Sequence, residues 1–118
     1  MDSPTHFSSN PSLTVLIVCA TWCGVCRDYK RVIESELKLK PVWVDVDDFE
    51  ALTDHLSIET FPTIVILNGS DILFFGSIDA KQGTLSGLIS GVSEHSPILE
   101  YRELGVVIKE WLIKYRSQ

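Results

Sequence analysis

Ala20-Thr21-Trp22-Cys23-Gly24-Val25-Cys26-Arg27 sits where two hydrophobic periodicities meet. Before it, Leu13-Thr14-Val15-Leu16-Ile17-Val18-Cys19 is apolar on both faces, as in a central strand of a sheet covered on both sides. After it, Tyr29, Val32, Ile33 and Leu37 recur at helical spacing to about Lys40, with Arg27, Asp28, Lys30, Arg31, Glu34 and Glu36 between them. Two cysteines two residues apart at such a junction place both sulfurs in the first helical turn. Unpaired backbone N–H groups there favour a thiolate. A thiolate attacks disulfides, and a second thiol within reach can resolve the mixed disulfide. The spacing also fits half of a zinc site or two incidental thiols.

Composition narrows the classes. The 118 residues suit one domain with a single core, and 45% hydrophobic with 22% charged residues is the balance of an ordinary globular protein. A formal net charge of −6 argues against nucleic acid or an anionic membrane surface as partner, because both are met with Lys/Arg-rich patches. Residues 1–12 are polar and hold two prolines, without a basic start or an apolar core, and so do not read as a secretory signal. They read as a flexible lead-in with a short edge strand around His6-Phe7. The apolar run Val15–Ala20 falls far short of the roughly 20 residues that span a bilayer. A reducing cytoplasmic setting is the expectation, and there three cysteines suggest catalysis or metal before a structural disulfide framework. Cys19, inside the strand, reads as an inert small hydrophobe.

Pro41 ends the first helix, and Val42-Trp43-Val44-Asp45-Val46-Asp47 reads as a second strand. Strand, helix, strand implies a right-handed parallel crossover. Asp48 can cap a short helix over Phe49–Leu56, with Phe49, Leu52 and Leu56 facing inward and His55 on the surface. Ser57–Phe61 is a loop ending at Pro62, before the β run Thr63-Ile64-Val65-Ile66-Leu67. Asn68-Gly69 signals a hairpin whose second arm, Ile72-Leu73-Phe74-Phe75, ends at Gly76. Lys81 to about Val92 forms a helix weakened by Gly83 and Gly87. Beyond Pro97, Ile98–Tyr115 gives an amphipathic helix with Leu104, Val107, Ile108, Trp111, Leu112 and Tyr115 on one side, which Gly105 would loosen or bend.

With Trp22-Cys23-Gly24-Val25-Cys26 at the first strand-to-helix junction, Phe61-Pro62-Thr63 before an apolar strand and Asn68-Gly69 leading to Gly76, the sequence resembles the thioredoxin family over roughly Leu13 to Val92. The resemblance implies an α/β thioredoxin-like fold, with a mixed four-stranded sheet flanked by helices and a short fifth N-terminal edge strand at most. Residues 13–93 would form that unit and 94–118 a helical extension packed on it. The family's proline at Pro62 is cis and faces the cysteines, letting Phe61 offer its backbone to an extended peptide. Cys23 would then attack or receive a disulfide and Cys26 resolve it. Trp22, Val25, Phe61, Pro62 and Gly76 would form the substrate-binding rim. The implied partners are disulfide-containing protein substrates and a recycling reductase.

The departures are equally specific. Val25 stands where common thioredoxins have proline, which restores an N–H and changes the donors available to the sulfur. Ile17 and Trp43 stand where the family has a buried aspartate and a nearby lysine. The resolving thiol should therefore keep a higher pKa, with general-base help either missing or supplied by another group such as Asp45, and slower turnover than a housekeeping thioredoxin. No proline interrupts the first helix, which should run straighter. Too few residues precede Leu13 for the family's first strand and helix. Ile98–Tyr115 would cover the sheet face left open, or form a weak dimer contact through Trp111 and Leu112.

Three readings follow: a thiol-disulfide oxidoreductase, a thioredoxin-like interaction module or assembly factor with low turnover, and a metal site. Zinc normally takes four ligands, and Cys19, His6, His55 and His95 form no spaced second pair beside Cys23 and Cys26, so neither metal nor cofactor is expected.

Overall fold

A computed structural model describes residues 13–20, 22–36, 40–47, 50–56, 58, 61–78, 83–92 and 97–116. The expected edge strand at His6-Phe7 and the Asp48 cap lie outside these residues, as does the side chain of His55. Strand β1 (Leu13–Cys19) leads into helix α1 (Gly24–Glu36), and β2 (Val42–Asp45) returns parallel to β1. Helix α2 (Glu50–Leu56) precedes the antiparallel pair β3 (Thr63–Asn68) and β4 (Asp71–Ser77), which α3 (Thr84–Val92) and α4 (Arg102–Arg116) follow. The sheet order is β2-β1-β3-β4, with β1 antiparallel to β3. The chain thus has the expected mixed four-stranded thioredoxin-like sheet.

Alternation along the central strands builds two cores. Val15, Ile17 and Cys19 of β1 and Ile64 and Ile66 of β3 pack with Cys26, Tyr29 and Ile33 of α1 and Leu85 and Val92 of α3. Leu16, Val18, Val65 and Leu67 point the other way, onto Leu52 of α2 and Ile108 and Leu112 of α4. The C-terminal helix covers the second face of the sheet, with Trp111 packed against its margin.

Several boundaries differ from the sequence reading, each for a local reason. Lys40 lies outside α1, as expected of a residue whose α conformation the following Pro41 disfavours. β2 ends at Asp45 because its Oδ1 accepts the Asp47 N–H at 2.8 Å, turning the chain at Val46-Asp47. Gly83 is not a helical residue: its φ of 90° places it in the turn before α3, and its carbonyl accepts the Gly87 N–H at 3.0 Å. The helix after Pro97 begins as a 3₁₀ turn, Leu99–Tyr101. Just before that turn, extended Ile98 donates its N–H to the Ile72 carbonyl at 2.9 Å along the edge of β4.

Two glycines have a structural task. Gly69, at φ 65°, makes the tight Gly69-Ser70 link between paired Asn68 and Asp71. Gly105 lies inside α4, which runs unbroken from Arg102 to Arg116. It is the crossing point where the helix backbone lies against the β3–β4 turn, and a Cβ there would collide with the Ser70 carbonyl. In β4 the pairing steps from Ile66↔Phe74 to Leu67↔Ile72, leaving Leu73 as an extra residue. That bulge is why consecutive Leu73 and Phe74 both serve the first core.

Candidate active site

The C-terminal end of β1 brings the chemistry together. The chain leaves the strand at Ala20, whose carbonyl accepts the Cys23 N–H at 3.0 Å, and Cys23 then accepts at its own carbonyl the Arg27 N–H at 3.3 Å. Cys23 is therefore the N-cap of α1, with Gly24, Val25 and Cys26 as the first three helical residues. An N-cap side chain ordinarily receives the second and third N–H groups of its helix. The sulfur of Cys23 does so: the Cys26 and Val25 N–H groups point at it, the Cys26 thiol adds a third hydrogen bond, and Arg27 adds positive charge. All of these favour the thiolate and hold the Cys23 thiol below its ordinary range.

Cys26 has the opposite environment. It is 4% exposed, in the core between α1 and the sheet, and burial pushes its thiol up. Two groups at the end of β1 work against that: the Cys19 thiol and the Ala20 N–H both hydrogen-bond its sulfur. Ile17 and Trp43, which replace the expected acid and base, stand opposite each other in the β1–β2 register. Both belong to the apolar cluster around Cys26, Ile17 fully buried and Trp43 packed against it, with Lys30 Nζ 5.6 Å over the indole. Asp45 lies opposite Cys19 in the register, where its charge disfavours the Cys19 thiolate.

The second wall of the site comes from the turn into β3. The Phe61-Pro62 peptide bond is cis. Thr63 pairs with Val18, next to Cys19, and with Ser77 across the sheet, so the Phe61-Pro62 turn and Gly76 stand at the end of the sheet where β1 delivers the cysteines. Trp22 joins the two loops, its ring edge-on to Phe61 at 5.6 Å between centroids and 87° between planes. Around Cys23 the surface is apolar and open, with Trp22 66% and Val25 52% exposed. A Cβ at Gly76 would make ordinary contact with the Phe74 ring alone.

The proposed rim residues therefore fall at one end of the fold, and Cys23 and Cys26 in one helical turn. Cys19 is what the sequence reading passed over: it shares a strand face with Ile17, the face that α1 covers, and that parity placed it under Cys26. Among the described residues, no three Cys, His, Asp or Glu side chains group as a metal-ligand set, and no helix is long and apolar enough to cross a membrane.

The sequence profile of the thioredoxin family matches residues 5–90. Thioredoxin-1 of Drosophila yakuba is 32% identical over 83 residues, an alignment covering 65% of this chain and 78% of that protein. Thioredoxin-1 of Drosophila melanogaster is 34% identical over 65 residues, covering 51% of this chain and 61% of that relative, which is less than two thirds of its length. In three dimensions, the germline-specific thioredoxin Deadhead of Drosophila melanogaster superposes with a TM-score of 0.58 at 30% identity, over 67% of this chain and 79% of that one. A mutant thioredoxin from Halobacterium salinarum gives the same TM-score, 0.58, at 24% identity, a likeness of fold alone, over 73% of this chain and 79% of that one.

Proposed function

The chain belongs to the thioredoxin family, and from that premise we propose that it exchanges disulfides with protein substrates through Cys23 and Cys26. One observation carries the assignment: two sulfurs share one helical turn, that of half-buried Cys23 at the N-cap receiving the Val25 and Cys26 N–H groups that favour a thiolate, and that of Cys26 buried in the core, which favours the thiol. The half-buried thiolate of Cys23 attacks a partner disulfide, forming one S–S bond as the partner's breaks and releasing one partner sulfur as a thiolate, which takes a proton from water. Cys26, once deprotonated, attacks Cys23, which breaks the mixed disulfide, frees the second partner thiol and leaves Cys23–Cys26 oxidised. Electrons pass from the Cys pair to the partner, and the reverse order oxidises a dithiol. A recycling reductase restores the pair.

Trp22, Val25, Phe61, Pro62 and Gly76 form the docking rim in this reading. The exposed Trp22 and Val25 offer apolar contact, and the Phe61 backbone offers hydrogen bonds to an extended segment. The apolar Ile17–Trp43 pair beneath Cys26 favours a second reading, a docking module with slow turnover, because neither of these two positions carries a carboxylate to take the Cys26 proton. A reducing cytoplasm is the compartment in which such a pair would be kept available.

Incubation of Cys26→Ser with a disulfide-bonded protein tests the assignment. The reading expects a trapped mixed disulfide on Cys23, and no adduct with Cys23→Ser. Adducts of equal yield with both variants would contradict it.

A further inference from the structure

We propose that Cys19 is a positioning residue for the resolving step: its thiol, buried at the end of β1, donates a hydrogen bond to the Cys26 sulfur and steadies the thiolate that releases a bound partner. The inference rests on the exchange reading and deepens it by giving the third cysteine a role.

Hydrogen bonds link the three sulfurs in sequence, Cys19 to Cys26 and Cys26 to Cys23, with Cys19 and Cys26 buried and Cys23 half-buried. Cys19 is 9% exposed at the last position of β1, its main chain fixed by the parallel pairing with Asp45 and by the Val46 N–H, which donates to the Cys19 carbonyl at 3.0 Å. Its side chain shares the face of Val15 and Ile17 and hydrogen-bonds Cys26, which in turn hydrogen-bonds Cys23. The direction of the first bond follows from chemistry. Burial, the sulfurs of Cys26 and Cys23, and the charge of Asp45 all oppose ionisation of Cys19, so it keeps its proton and acts as donor. Cys26 is the acceptor.

The donor has a place in the reaction. Before attack on Cys23, Cys26 loses its proton in surroundings that disfavour a charge. Among the described residues the groups facing it are few. Cys19 and the Ala20 N–H come from β1 and Cys23 from the start of α1, with Tyr29 one turn further; Arg27 acts on Cys23, and Asp45 of β2 acts through Cys19. From β3, β4 and α3 the same core contributes Ile64, Ile66, Leu73, Leu85 and Val92, which offer nothing polar. With Ile17 and Trp43 beneath it, Cys26 has in the Cys19 thiol, among the described residues, a side-chain donor that meets its charge as it forms.

The test reads the Cys26 thiolate without using exchange. In a Cys23→Ser background, alkylation of Cys26 by iodoacetamide is followed against pH by mass spectrometry of its peptide, with Cys19 retained or replaced by Ala, Val or Ser. Thermal melts check folding, and Cys19→Val fills the site without a donor if the Ala cavity unfolds the chain. The proposal expects a midpoint at higher pH in the Ala and Val variants. Alkylation below the midpoint would be about three- to tenfold slower, the fold-change matching one hydrogen bond of ordinary net strength. Cys19→Ser, which keeps a donor, should restore most of the rate. An unmoved midpoint in the folded Ala or Val variant, or an equal slowing with Ser, would overturn it. Disulfide exchange by the unsubstituted protein, measured alongside, reports on the exchange reading alone.

Discussion

The ring of Trp22 meets the ring of Phe61 edge-on, 5.6 Å between centroids, and this contact ties the loop carrying Cys23 to the turn carrying Pro62. An edge-to-face pair contributes about 0.5–1.5 kcal/mol beyond area burial. With Trp22 two-thirds exposed, its function lies at the surface more than in the core. Trp22→Ala and Phe61→Ala should each lower kcat/KM for a disulfide-bonded protein several-fold more than for a small disulfide such as oxidised glutathione. Equal losses on both substrates would mean that the pair shapes the thiols and not the docking rim.

Val25 supplies one of the backbone N–H groups that point at the Cys23 sulfur. Val25→Pro removes that N–H at a first-turn position where proline is tolerated. The Cys23 thiolate should then form at a higher pH than in the parent, read from the pH dependence of its alkylation. The helix should persist by circular dichroism. A midpoint that stays or falls would show that this N–H has no hold on the sulfur.

Gly105 stands against the Ser70 carbonyl with no room for a Cβ. Either α4 or the β3–β4 turn would move to admit alanine, and overpacking of this kind typically costs about 1–3 kcal/mol. Gly105→Ala should lower the denaturant midpoint accordingly while leaving the pH profile of Cys23 unchanged, because the crossing lies at the far end of the hairpin from the cysteines. An unchanged or raised midpoint would refute the close approach.

Burial raises the thiols of Cys19 and Cys26 in the folded chain relative to the unfolded one. An acid whose folded pKa is raised gives up its proton first in the unfolded state, so the folded chain loses ground as pH rises. Stability from these two groups is complete below the unfolded thiol value, about 8.5, and declines as pH rises above it toward their folded values. Urea unfolding across that range should show the decline, and Cys19→Ala/Cys26→Ala should flatten it. A slope unaffected by the double substitution would place the ionising groups elsewhere.

Much of this architecture is legible in the chain. Leu13–Cys19 is apolar on both faces because it is the strand between two packed layers, and its observed bounds coincide with the apolar run. The Trp-Cys-Gly-x-Cys run and the Phe61-Pro62 turn are local signals, carried by neighbouring residues alone. What escapes such a reading is set by contacts outside any periodic pattern. β2 stops where the Asp45 side chain catches the Asp47 N–H, and Gly83 belongs to a turn because its φ is positive. Gly105 reads as a weak point in a helix because sequence does not show that a hairpin turn lies against it. Cys19 reads as filler because its partner is seven residues on, across the strand-to-helix junction.

The most direct test of the central claim is a redox titration of the purified chain in graded dithiol/disulfide buffers, with thiols counted and located by mass spectrometry. The account predicts that Cys23 and Cys26 disappear together in one reversible two-electron transition, in which a tenfold change in the ratio of oxidised to reduced protein spans about 30 mV, while Cys19 stays reduced. A transition that pairs different cysteines, or thiols at Cys23 and Cys26 that stay free throughout, would contradict it.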